Sequence, residues 1–243
     1  MYKIISDRYL DLVEKIEDYL CDTTAKTLFD ARNTITNIQY QGESIVIKKF
    51  KVPNIVNQFA YRWIRDSKAK RSFDYSMRLQ KLQIPTSNPI GYIEKHRMLL
   101  LKESYYISTM IEHDFEIRAV LADKEFKDRK TILKQFVNFT YQLHEKGVYH
   151  IDYSPGNILI KQDGDNYKFA IVDVNRMLFK NLTIQERLFN FSKLTFDNDD
   201  NALFAQNYAL IGGYNPKDVE KLLNEGLEKQ KRYLKNKERL RKK

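Results

Sequence analysis

The chain has 243 residues, and its 42 Lys and Arg against 32 Asp and Glu give a formal charge of +10. Hydrophobic residues at 42% and aromatics at 13% exclude a disordered chain, while eight Gly and five Pro exclude collagen-like, repeat and low-complexity architectures. Cys21 is the single cysteine, which excludes an intrachain disulfide and any cysteine-based zinc site. The opening residues, "MYKIISDRYLDLVEKIEDYL", carry a charge every few positions and lack the apolar core of a signal peptide. No stretch approaches the roughly 18 apolar residues of a membrane span. A soluble, cytoplasmic chain is expected. The basic charge suits an anionic partner, or serves solubility alone.

In chain order, residues 7–20 space their apolar positions (Tyr9, Leu10, Leu12, Val13, Ile16, Tyr19, Leu20) as a short helix does. Three strand-like runs follow, "AKTLF", "TITNIQY" and "SIVIKKFK", separated by the turns "DARN" and "QGE". Residues 53–82 read as helical. Ile55, Val56, Phe59, Trp63 and Ile64 form one stripe there. Ser67 is the expected N-cap of a second stretch that turns Phe73, Met77 and Leu79 or Leu82 inward. Pro85 and Pro89 end it. Two more strands come next, "IGYIE" and a run between Met98 and Met110, with Lys95, His96 and Arg97 as the expected reversal. "RKTILKQFVNFTYQLHEKG" is a strong helical stripe closed by Gly147 at a C′ position. The sequence therefore predicts an α+β chain in two lobes. A β-rich lobe with a five-stranded antiparallel sheet covers about 1–110, and a helical lobe covers about 111–243.

The stretch "GVYHIDYSPGNILI" interrupts this pattern with His150, Asp152 and Asn157 between two apolar runs. "NILIK", the turn "QDGDN" and "YKFAIVD" form a hairpin. Counting outward from Gly164 puts Asn157 opposite about residue 171, and Asp173 offset from Asn157 by about two residues, or roughly 7 Å along the strand. A carboxylate and an amide oxygen at one hairpin end suit a hard cation such as Mg2+, and Asp152 adds a second carboxylate on the same loop.

"HIDYSPGN" resembles the protein-kinase catalytic loop H-R-D-x-x-x-x-N, with His150, Asp152 and Asn157 in matching positions. "IVDVN" resembles the D-F-G region with Asp173 as its aspartate, and "IVIKK" resembles the strand that carries the phosphate lysine, matching Lys48. Lys49 is its rival, but strand alternation puts the two on opposite faces. Among kinase-like chains, "VIKKFKVPN", "SKAKRSF", "LQIPTSNPIGYIE" and "VDVNRM" are similar to the lipopolysaccharide core kinases, which phosphorylate Kdo or heptose sugars. The likeness covers about residues 25–195.

That resemblance implies a kinase-like bilobal fold and an ATP- and Mg2+-dependent enzyme. Asp152 would orient or deprotonate the sugar hydroxyl, Asn157 and Asp173 would hold Mg2+, and Lys48 would contact the α- and β-phosphates. His150 would brace the loop. It also implies an acidic glycolipid acceptor, the lipopolysaccharide inner core, met peripherally at the cytoplasmic face of a membrane. No nucleic-acid partner is expected, since no basic-aromatic recognition motif is present.

The chain departs from the kinase pattern in several places. The nearest acid to the expected lysine partner on the matching helix is Asp74, one methylene shorter than glutamate. No glycine-rich loop is present, so only "DARN", with Arg32 and Asn33, is available to cover the phosphates. Ser154 stands where protein kinases carry a lysine, and no A-P-E follows Asp173-Val174-Asn175. These departures point away from a peptide substrate. They leave two rivals: a phosphotransferase of the same fold acting on another small molecule or on protein serine, and a catalytically silent kinase-like binding module. The basic run "EKQKRYLKNKERLRKK" ends either in contact with lipid phosphates or as a solvated helix.

Overall fold

The computed structural model describes residues 1–31, 33–51, 66–97, 100–194 and 197–241. They group into two compact units, Met1–Glu112 with Asp173–Asn175, and His113–Val172 with Arg176–Lys243. The stripe from Ile55 to Ile64 lies outside the described residues.

The first unit is built on an antiparallel sheet of β1 (Tyr2–Ile4), β2 (Lys26–Asp30), β3 (Asn33–Tyr40), β4 (Glu43–Phe50), β5 (Pro89–Arg97) and β6 (Leu100–Thr109). Their order is β1-β5-β6-β4-β3-β2. The sheet has six strands where the sequence predicted five. The added strand, β1, is three residues long, too short to show a period, and is held by its pairing with β5 from Tyr2–Ile93 to Ile4–Gly91. The reversal expected at Lys95–Arg97 is instead strand, pairing as far as Arg97 with Leu100 across a register shift at Lys95/His96. Three polar residues in a row do not end a strand at the rim of a sheet, where side chains reach solvent.

Alternation along β4 gives the sheet two different faces. Ile45 and Ile47 join Tyr105, Ile107 and Ile93 under the N-terminal helices α1 (Leu10–Glu14) and α2 (Ile16–Cys21). The expected single helix over 7–20 breaks at Lys15, whose backbone leaves helical geometry. Phe50 faces the other way, with Tyr92, Tyr106, Ala69 and Phe73 beneath α3 (Lys68–Lys81). Each buried aromatic or aliphatic side chain in these clusters contributes about 1.5–3 kcal/mol. Ser67 caps α3 as the sequence predicts, its Oγ accepting from the Lys70 N–H at 3.0 Å.

In the second unit β7 (Phe115–Glu116), β9 (Ile158–Asp163) and β10 (Asn166–Ile171) form one small sheet, and β8 (Val148–His150) pairs with β11 (Met177–Phe179). The other described elements are helical: α4 (Ile117–Ala122), α5 (Arg129–Glu145), α6 (Ile184–Asn190), α7 (Asn198–Gly212) and α8 (Pro216–Arg241). The stripe on α5 buries Ile132, Leu133, Phe136, Val137, Thr140 and Leu143. Phe136 packs among the rings of Tyr153, Phe169, Phe191 and Phe204. Gly147 follows α5 at φ +69, and a Cβ there would meet the Lys180 carbonyl oxygen at 2.8 Å, so only glycine fits. This tight crossing carries the chain from α5 into β8 and the loop beyond it.

Candidate active site

In the first unit, Lys48 lies on the α3 face of the sheet, opposite Ile35 on β3 and Tyr106 on β6. Its Nζ donates to Asp173 Oδ1 at 2.5 Å. The same oxygen accepts from Asn175 Nδ2 at 2.5 Å. Asn175 is buried and its carbonyl accepts from Arg71 Nη1 of α3 at 3.0 Å. Asp173 itself has φ +57, a left-handed conformation that aspartate tolerates better than most residues. Helix, strand and the 173–175 segment thus converge on one carboxylate. Lys49, on the opposite face, pairs with Glu103 at 2.5 Å and lies over Tyr105.

Asp74 sits on α3, half-buried, near Lys70 and Tyr92. The residue of α3 that reaches the Asp173 segment is Arg71. Sequence reading missed it, although a basic residue at a position flanked by Ala69, Ser72 and Phe73 on a buried face was the available signal. Asn33 begins β3 and its Oδ1 accepts from the Lys51 N–H at 3.4 Å, a strand-end role. Arg32 lies outside the described residues.

In the second unit, the loop after β8 is fixed from several sides. His150 is fully buried; its Nδ1 accepts from the Asp152 N–H at 3.1 Å, which leaves Nε2 to donate to the Val172 carbonyl at 3.0 Å. The His150 carbonyl accepts from Asn190 Nδ2 at 2.8 Å. Asn190 Oδ1 in turn pairs with His144 Nε2 at 3.2 Å, and His144 Nδ1 with the Tyr208 hydroxyl at 2.9 Å. Burial pushes His144 down to about 3, so it is a neutral structural member of this chain. Tyr153 turns inward, hydrogen-bonded to Thr140 at 2.9 Å, while its neighbour Asp152 remains over a third exposed.

Asn157 Nδ2 donates to the Asp152 carbonyl at 2.9 Å, which orients the amide and leaves Oδ1 without a hydrogen-bond partner among the described residues. The hairpin register pairs Ile158 with Ile171, and the Val172 N–H donates to the Asn157 carbonyl at 3.0 Å. Asn157 therefore stands opposite Val172, one residue beyond the expected 171, because the turn holds two residues, Gly164 and Asp165. Asp173 is the next residue in the chain.

Basic side chains that the sequence did not single out surround Asp152. Lys193 Nζ is 3.7 Å from Oδ1 and Arg176 Nη1 is 4.0 Å from Oδ2. The guanidinium of Arg118 on α4 packs against Gly156, where a Cβ would stand. The donors assigned to a metal, the Asp173 carboxylate and the Asn157 amide oxygen, are hard oxygen ligands, which fit Mg2+ and disfavour soft metals. A lysine amine beside one of them, its side chain only 12% exposed, fits phosphate.

A family model for the lipopolysaccharide kinase (Kdo/WaaP) family matches residues 42–214. The chain is 27% identical over 139 residues to 3-deoxy-D-manno-octulosonic acid kinase of Mannheimia succiniciproducens, a match covering 54% of this chain and 55% of that protein. It thus spans about half the length of that relative. A solved structure of WaaP in complex with acyl carrier protein superimposes with a TM-score of 0.60 at 12% identity, covering 96% of this chain and 98% of the other, and shows the shared fold. With the profile spanning Lys48, Asp152, Asn157 and Asp173, the chain belongs to the lipopolysaccharide kinase (Kdo/WaaP) family.

Proposed function

We propose that this protein is an ATP- and Mg2+-dependent phosphotransferase that phosphorylates a hydroxyl of a Kdo or heptose sugar in the lipopolysaccharide inner core. The observation that carries this reading is the bracing of Asp152. Its N–H is tied to His150, its carbonyl to Asn157, and its carboxylate is left accessible. Such a carboxylate is suited to accept a hydrogen bond from an incoming hydroxyl and to take its proton as the bond to phosphorus forms.

Lys48 binds the α- and β-phosphates, a task for which its strand and the Asp173 pairing hold the amine in place. Asn157 and Asp173 are the residues that would hold Mg2+, which would supply positive charge to offset that of the phosphates. Transfer through a metaphosphate-like transition state asks mainly for positioning and electrostatics, and each of these side chains is positioned by a neighbour rather than by its own rotamer alone.

The acceptor is anchored in a membrane, and the end of α8 is suited to lie on an anionic one. From Glu228 to Arg241 there are seven Lys or Arg against two Glu. Residues 231–240 are all exposed, among them Tyr233, Leu234 and Leu240. No helix among the described residues is long and apolar enough to cross a membrane.

The test is transfer from labelled ATP to purified inner-core glycolipid, run beside a peptide library. One phosphate gained by the glycolipid supports the reading; phosphorylated peptides with an unmodified glycolipid would replace it with a protein-kinase activity.

A further inference from the structure

Asp152 stands between two cations that do not lock it. Lys193 approaches Oδ1 at 3.7 Å and Arg176 approaches Oδ2 at 4.0 Å, both beyond hydrogen-bonding range. The side chains are 32% (Lys193), 38% (Asp152) and 53% (Arg176) exposed, so all three meet solvent. Lys193 is anchored by a hydrogen bond to the Ile151 carbonyl, which fixes its ammonium beside the loop. An ammonium and a guanidinium each carry several N–H donors, so both keep donors for a further anion. The three groups together carry a net positive charge where Asp152 alone would be negative.

A neutral alcohol brings no charge of its own for two such cations to offset. An acidic acceptor does, and its negative charge would otherwise be brought against Asp152. The transferred phosphoryl is a less suitable occupant. It sits beyond the attacking oxygen from Asp152, and Mg2+ is already assigned to its charge.

We propose that Lys193 and Arg176 form an anion subsite beside Asp152 that binds a carboxylate on the acceptor sugar, so that the acceptor is an acidic sugar of the Kdo kind and not a neutral heptose. This rests on the reading of Asp152 as the residue that orients the attacking hydroxyl. Each cation faces one oxygen of Asp152, so an acceptor carboxylate bridging them lies next to the hydroxyl that Asp152 engages. The subsite then selects both the sugar and its orientation.

The experiment compares a Kdo-bearing glycolipid with the same acceptor after its carboxylate is converted to the primary amide. The wild-type protein, K193M/R176Q, R176Q, K193R and D152A are assayed on both. The wild type should favour the acid by about tenfold or more in kcat/KM, as for a charge-assisted contact. K193M/R176Q should bring that ratio close to one, chiefly through the KM for the acid acceptor, while K193R retains it. Using the ratio cancels any effect of Lys193 on the loop through Ile151. R176Q changes an exposed side chain, so it tests the subsite even if the double variant does not fold, and should lower the ratio by itself. A wild type indifferent to the carboxylate, or a preference that survives R176Q and K193M/R176Q, overturns the subsite. Full activity of D152A would instead remove the reading on which it rests, whereas an inactive D152A together with a ratio left unchanged by R176Q and K193M/R176Q removes the subsite alone.

Discussion

Lys48 Nζ and Asp173 Oδ1 meet at 2.5 Å although 125 residues separate them in the chain. The pairing joins the strand that carries the amine to the segment that carries a proposed metal ligand, within one compact unit. Asn175 shares that oxygen and Arg71 holds Asn175, so three residues fix one carboxylate.

Replacing Lys48 with Met should lower kcat by about 10^2–10^3, the range for loss of one preorganised electrostatic contact. Lys49→Met is the internal control. Lys49 pairs with Glu103 on the opposite face of β4, and a partly exposed pair of that kind is worth about 0–1 kcal/mol. Steady-state rates for the two variants should therefore differ by at least tenfold, and equal losses would contradict the assignment of faces.

Arg71→Ala should act through Asn175. Losing a charged donor to a buried carbonyl costs about 1–3 kcal/mol, read as a lower denaturation midpoint. Because Asn175 also binds Asp173, the Mg2+ concentration for half-maximal activity should rise in this variant and recover in part in Arg71→Lys. Loss of stability with an unchanged Mg2+ requirement would make Arg71 structural only.

The two faces of β4, the capped helix α3 and the stripe on α5 were legible because each obeys a local period or a local cap. Asp152, Asn157 and Asp173 were legible as candidates because a loop and a hairpin fix their spacing, and Lys48 through the resemblance of its strand. Arg71, Arg176 and Lys193 were not. Their partners are Asn175 and Asp152, and only tertiary packing brings an arginine at 71 or a lysine at 193 to them. β1 was missed because three residues carry no period, and the Lys95–Arg97 reversal was misplaced because charge alone does not terminate a strand. On α3 the sequence drew attention to Asp74, while the contact that α3 makes with the 173–175 segment comes from Arg71.

Acid should weaken the second unit before its carboxylates titrate. His144 is held near 3 by burial against an ordinary 6.5, so the unfolded chain takes up a proton that the folded chain refuses. Stability contributed by the neutral ring is complete above 6.5 and is lost as the pH falls toward 3, at up to about 1.4 kcal/mol per pH unit. Thermal unfolding between pH 6.5 and 4.5 should show this slope, and His144→Gln should flatten it. A slope unchanged in the variant would assign it to other groups.

The end of α8 should bind anionic vesicles. Neutralising Lys235, Lys237 and Arg239 to Gln removes about 1 kcal/mol each, so affinity for vesicles rich in anionic lipid should fall by about a hundredfold. Wild-type binding should also weaken with salt. Equal co-sedimentation of the wild type and the triple variant would rule α8 out as the contact.

Asp152→Ala on purified inner-core glycolipid, with ATP and Mg2+ saturating and the product read by intact mass, tests the assignment most directly. The phosphorylated glycolipid should form at a rate lower by about 10^3, within the range for removal of a positioned base, while the variant still binds ATP and melts as the wild type does. Transfer within tenfold of the wild-type rate would contradict the account.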